Sequence, residues 1–430
     1  MNIFIYVALA FFIALLSSRL MKAIKLPNVT GYLLTGILVG PFVLGLAFNG
    51  GQFSPVGPVY EFIHANLAWI SEIALGFIAF TIGSSFKLSA LKAVGSRVIV
   101  ITIFEALGAS LFVSLALIGF HFVFPSFLTL DMALTLGAIA AATAPAATLM
   151  VIKQYHAHGP LVQNLLPVVA LDDAAALILF AILFSAAKTM ATGAAFDAYT
   201  GLIKPMLEII MSLAIGALVG LIISLGCKIF KSRANRTIMA MFAIFLCVGI
   251  YHLFEEPFMG SFELSSLLMC MMVGGVFVNL RGDALKTFDR IDKFTPPVFM
   301  LFFVISGANL DLTVFASSNA MWIIITALIY CVIRALGKWV GAYSGARLTR
   351  AEPVVQKYLG FALIPQAGVA IGLATTASKI LTDAGSISGS YILAIVLTTT
   401  MIYEIIGPAI TKMALQKAGE ITVEPTTQNA

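Results

Sequence analysis

The stretch LDDAAALILF, residues 171–180, sets Asp172 beside Asp173 in an otherwise apolar run. Carboxylates out of water are costly unless a proton, a cation or an ion pair compensates them. Adjacent residues on a helix diverge by about 100°, so one aspartate can meet a cationic partner while the other faces a cavity. Carboxylate oxygens suit a small hard cation, and a carboxyl group out of water holds its proton more firmly than one in water. A group that takes either a cation or a proton, never both fully, couples two fluxes. The cationic partner is offered by VIRALGKWVGAYSGARL, residues 332–348, where Arg334 and Lys338 stand four apart on one helical face and repel unless anions lie opposite. Glu72, Glu105 and Glu404 also fall in apolar runs. Glu72 or Glu105 is expected to neutralise Arg334, and Glu404, just before Gly407 and Pro408, to pair locally.

Other chemistries fit less well. An intramembrane aspartyl protease needs two carboxylates sharing one site, whereas neighbours on one helix point apart. The five histidines sit mainly in polar joints, and Cys227, Cys247, Cys270 and Cys331 have no metal-ligand spacing. No glycine-rich phosphate loop is present. No cofactor and no enzymatic activity are expected.

Two runs would place backbone charge near these acids. GAIAAATAPAATLMVIK carries Pro145 between Thr143 and Thr148, and LGFALIPQAGVAIGLA carries Pro365, Gln366 and Gly368. Proline removes a helix hydrogen bond and clashes with the preceding turn, so both spans are expected to kink or unwind at their centres. They run in opposite directions, as an inverted repeat requires, and two broken helices crossing near the midplane would present free carbonyls and N–H groups to an ion. Thr143 and Thr148 would add hydroxyls. Gly337, Gly341 and Gly345 form a small-residue stripe for close helix packing.

These features sit in a chain of 430 residues that is 60% hydrophobic and 10% charged, the composition of a polytopic membrane protein. About thirteen apolar windows of spanning length are expected, near 3–20, 29–48, 66–84, 97–120, 131–152, 165–187, 201–226, 236–253, 261–280, 295–308, 320–346, 355–379 and 387–414. No window alternates as a membrane β-barrel strand does. Of the 25 lysines and arginines, twenty fall at one set of joints and only Lys188, Lys204 and Lys379 at the other. That bias puts the N-terminus outside and the C-terminus in the cytoplasm. The net charge of +5 therefore reflects orientation, and no nucleic-acid partner is expected. The first apolar run lacks a basic leader, so a retained helix is expected rather than a cleaved signal. A short polar tail closes the chain.

With GYLLTGILVGPFVLG, ATAPAAT, ALDDAAA, RALGKWVGAYSGARL, LIPQAGVAIG and YEIIGPAITK in this order, the chain resembles a bacterial member of the monovalent cation:proton antiporter superfamily, second branch. The resemblance implies an all-α fold of inverted repeats with two crossed broken helices. It implies a scaffold or dimer domain from 1–96 and 236–310, a mobile core from 97–190 and 311–416, a linker helix in 191–235 and a tail from 417. It further implies a homodimer in the inner (plasma) membrane and an elevator-type cycle. Carried over, Asp173 is the cation- and proton-binding aspartate, Asp172 its neighbour, Lys338 the partner of that neighbour, and Thr143 a polar residue of the crossing. Some members have an aspartate after that threonine; here Ala144 stands there, and the half-helix dipoles lack that anion. The Asp-Asp pair facing a lysine resembles the electrogenic sodium/proton type. Lys338, once freed from Asp172 by the cation and left out of water, is expected to release a second proton. A potassium/proton exchanger and, less well supported, a sodium-coupled organic-anion symporter are the alternatives. Li⁺ is a further possible substrate.

Overall fold

A backbone in hydrocarbon has no water to bond, so its N–H and C=O groups must pair within the chain. The computed structural model describes residues 2–24, 26–41, 43, 58–89, 95–125, 127–192, 199, 203–255, 264–308, 320–383, 386 and 388–421, and among them regular structure is helical throughout. The helices are α1 (Ile3–Ala23), α2 (Asn28–Val39), α3 (Pro58–Gly83), α4 (Arg97–Val123), α5 (Leu130–Ile139), α6 (Pro145–Gln154), α7 (Pro160–Thr192) and α8 (Lys204–Ile229). They continue as α9 (Arg233–Glu255), α10 (Ser266–Leu280), α11 (Ala284–Phe294), α12 (Pro296–Ala308), α13 (Ala320–Leu348), α14 (Pro353–Ala362), α15 (Gly368–Asp383) and α16 (Ser388–Lys417).

Seven of these are long and apolar enough to cross a membrane alone, and an eighth span results if α11 and α12, bent by 55°, are joined. The expected thirteen crossings are not reached by length and composition alone. The other expected windows coincide with shorter apolar helices and with two interrupted spans. The basic joint after Leu280 holds a helix that was not expected: α11 buries Ala284, Thr287, Phe288 and Ile291, the one-face spacing of an amphipathic helix. Lys25, Lys92, the end of GYLLTGILVGPFVLG and the expected boundary at 310/311 lie outside the described residues, as do tail residues 422–430.

Both proline-bearing spans are broken. In the first, α5 ends at Ile139 and α6 begins at Pro145. The break lies before the proline, because a ring without an N–H is tolerated at a helix start and pushes the preceding residue into extended backbone; Ala144 has φ −87° and ψ 108°. In the second, α14 ends at Ala362 and α15 starts at Gly368, with Pro365 inside the gap. The gaps touch: the Ala144 N–H donates to the Pro365 carbonyl at 2.8 Å.

Buried apolar side chains fall into three groups. One joins α1–α3 with α8–α12, through residues such as Leu33, Phe77, Ile244 and Phe299, and takes in Ala146 and Leu149 of α6 and Ala170 of α7. A second gathers α4, α5, α7, α13, α15 and α16, and a third α4, α6, α7, α13, α14 and α16. The tail is docked where it is described: Glu420 is buried, its carboxylate accepting from the N–H groups of Leu161 and Val162 at 2.5 and 2.9 Å. It therefore caps the start of α7, the helix that carries Asp172 and Asp173.

Candidate functional site

The glycine stripe of α13 packs against α4. A Cβ at Gly337 would stand 2.6 Å from the Gly108 carbonyl oxygen, and one at Gly341 would lie 2.7 Å from the Glu105 Cα. Only glycine permits this approach, and it carries Glu105 of α4 to Lys338 of α13.

Lys338 is wholly buried and contacts three anionic or dipolar groups. Its Nζ lies 3.1 Å from Asp172 Oδ2 and 2.5 Å from Glu105 Oε2, the latter an ion contact without hydrogen-bond alignment. It also donates to the Ala141 carbonyl at 2.5 Å, inside the first break. Asp172 and Glu105 are themselves fully buried, and Asp173 is 7% exposed. Asp173 forms no ion pair among the described residues, and its Oδ1 has no hydrogen-bond partner. The adjacent aspartates are thus unequal: one is bound to the lysine, the other is free to take a ligand. An ammonium and three carboxylates share this buried place, so with every group ionised the negative charges outnumber the positive.

Arg334, one turn away, is also completely buried. Its Nε donates to Ala140 O at 2.8 Å, its Nη2 to Ala142 O at 2.6 Å and its Nη1 to Ile364 O at 2.7 Å. The Tyr403 ring covers the guanidinium at 4.8 Å. One side chain therefore satisfies carbonyls from both breaks, at helix ends that carry negative partial charge. The expectation that Glu72 or Glu105 neutralises Arg334 is corrected: carbonyl dipoles do, and Glu105 serves Lys338. Glu72 lies elsewhere, on α3, 2.7 Å from His252 with both side chains well exposed.

The remaining expected residues brace the crossing. Thr143 and Thr148 donate to the Leu363 and Ala362 carbonyls, each at 3.3 Å. The Gln366 amide N–H₂ donates to Ile139 O at 3.1 Å and bonds the Tyr330 hydroxyl at 3.0 Å. All three use their polar groups on the opposing break. Glu404 does not pair locally: its Oε1 accepts from the Ser306 hydroxyl of α12 at 3.0 Å.

The part of Glu105 was underread in the sequence. The signal available was EALGAS, a carboxylate three residues before a glycine, set against the glycine stripe that starts one residue before Lys338.

A family model described as "Sodium/hydrogen exchanger, transmembrane" matches residues 7–417. Comparison with curated proteins gives no match. Among solved structures, the sodium proton antiporter MjNhaP1 from Methanocaldococcus jannaschii at pH 8 is similar with a TM-score of 0.66 at 18% identity, over 96% of this chain and 97% of that one. An electron-microscopy structure of the same antiporter gives 0.69 at 18% identity, over 97% and 96%.

Proposed function

The chain belongs to the sodium/hydrogen exchanger family, and from that premise we propose that it exchanges sodium for protons at Asp172, Asp173, Glu105 and Lys338 by an electrogenic, elevator-type cycle. Cation/proton antiport is a transport activity, not an enzymatic one. Sodium is the cation of the reading because the family description and the similar MjNhaP1 structures name it.

The observation that supports it is the charge balance of the buried cluster, one ammonium against three carboxylates. Such a cluster approaches neutrality only by taking up protons or a cation. With two carboxylates protonated, the third balances Lys338 and the site is neutral. Replacing those two protons by one sodium ion leaves one net negative charge, so each turnover moves one charge across the membrane. Asp173, unpaired, is the group on which the cation and a proton compete. Lys338 keeps its own proton in this scheme: when sodium draws on Asp172, Glu105 and the Ala141 carbonyl remain beside the ammonium.

In this reading α1–α3 with α9–α12 is the scaffold of a homodimer, α8 is the linker helix, and the groups around the crossing form the moving core. The protein lies in the plasma membrane with its N-terminus outside and its C-terminus in the cytoplasm, supported by the bias of lysine and arginine toward one set of joints.

The test is cation-induced dissipation of a pH gradient in everted vesicles, with Na⁺, Li⁺ and K⁺ added separately. Wild type is expected to respond to Na⁺, and Asp173→Asn to respond to none of the three. A mutant response equal to wild type would remove Asp173 from the site.

A further inference from the structure

The second half-helices of the crossing, α6 and α15, both start at one small cavity. Ala144 and Ala147 line it from one start, Pro365 and Ala367 from the other, with Phe302 of α12 and Glu404 of α16 closing it. Helix starts carry unpaired N–H groups and positive partial charge. At α6 no side chain caps them, and the break itself supplies no acid, since Ala144 follows Thr143. Glu404 is 5% exposed, and its Oε2 has no hydrogen-bond partner. Three residues on, a Cβ at Gly407 would come within 3.0 Å of the Pro365 ring, so α16 is held against the break. At the opposite ends of the same crossing, Arg334 and Lys338 meet the carbonyls. Cations thus serve the two helix C-ends, and one carboxylate from a third helix lines the cavity at which the two N-ends begin.

We propose that Glu404 is a positioning residue that supplies, from α16, the negative charge the two half-helix starts lack, and so sets the local potential in which the site takes its cation. The proposal rests on the antiport reading. Its rival is a plain tether, in which Glu404 matters only as the acceptor of the Ser306 hydroxyl that links α16 to α12.

Moving the charge separates the two. In the everted-vesicle assay at fixed pH, Glu404→Gln is expected to raise the half-saturating sodium concentration by roughly three- to tenfold. Adding Ala144→Asp to that variant returns it to within about twofold of wild type, whereas Ala144→Asn in its place does not. Ser306→Ala, which removes the hydrogen bond and keeps the charge, leaves it near wild type. Should Glu404→Gln fail to reach the membrane, Ala144→Asp alone is measured, and a lowered half-saturating concentration is expected. Failure of the aspartate to rescue, Ser306→Ala reproducing Glu404→Gln, or an unchanged value for Ala144→Asp alone overturns the proposal. If wild type responds to sodium, Asp173→Asn does not and Glu404→Gln matches wild type, only this inference fails; if wild type shows no sodium response, the sodium/proton reading fails instead.

Discussion

Lys338 is the residue on which the buried charges depend. Removing one partner of a buried ion pair costs about 3–5 kcal/mol, because the other charge is left uncompensated. Lys338→Gln, which leaves Asp172 and Glu105 facing each other out of water, is therefore expected to lower the thermal unfolding temperature of the detergent-purified protein. Glu105→Gln added to it should restore part of the loss, and strictly additive effects in that double-mutant cycle would mean that the two side chains do not interact. Glu105→Gln alone tests the stoichiometry. With Asp172 committed to Lys338, only Asp173 is left to carry a proton, so sodium-driven exchange should persist while its current in proteoliposomes vanishes. A current undiminished per sodium ion would exclude Glu105 as the carboxylate that allows the second proton. The sequence displayed the acids and the two cations openly, since charge in an apolar run stands out. The Lys338–Asp172 pair was expected from the family resemblance and is present, but the part of Glu105 was not expected, because Glu105 and Lys338, more than two hundred residues apart in sequence, are brought together by a glycine-lined contact between helices.

At the scale of elements, the breaks were legible because proline has a local and nearly unconditional effect on helix hydrogen bonding. Their repair was not. Arg334, Gln366, Thr143 and Thr148 all spend their polar groups across the crossing, a long-range arrangement with no short-range pattern. The tail shows the same limit. Glu420 stands in a polar stretch that reads as a free end, yet it takes the place of an N-cap for α7 from some 260 residues away. Loss of a helix cap costs about 0.5–2 kcal/mol, so Glu420→Ala should lower the unfolding temperature and Glu420→Gln, which keeps an acceptor oxygen, should lower it less. Equal stability of Glu420→Ala and wild type would show that water caps α7 as well as the tail does.

For the whole molecule, competition at a shared site dictates how transport follows pH. Each proton that must leave before sodium binds steepens the dependence. The half-saturating sodium concentration is expected to rise as pH falls, by about tenfold per unit for one competing proton and up to about a hundredfold for two. Measuring it across a pH series in proteoliposomes checks this, and a pH-independent value would mean that cation and proton use separate sites. Fold class was readable at this scale from composition and hydropathy, because a membrane leaves the backbone few options. The amphipathic helix α11 was not, since its basic residues resemble those of an ordinary cytoplasmic joint and its buried face is only four residues, one of them a threonine.

The three carbonyls held by Arg334 belong to the two inverted halves of the chain: Ala140 and Ala142 to one, Ile364 to the other. A guanidinium is planar and rigid, so the two breaks share one fixed spacing, and neither can be retuned by itself. Chimeras with a relative should follow that rule. Exchanging one half alone would set a break from one protein against a break and bridging side chain from the other, whereas exchanging both halves together would carry the matched set across.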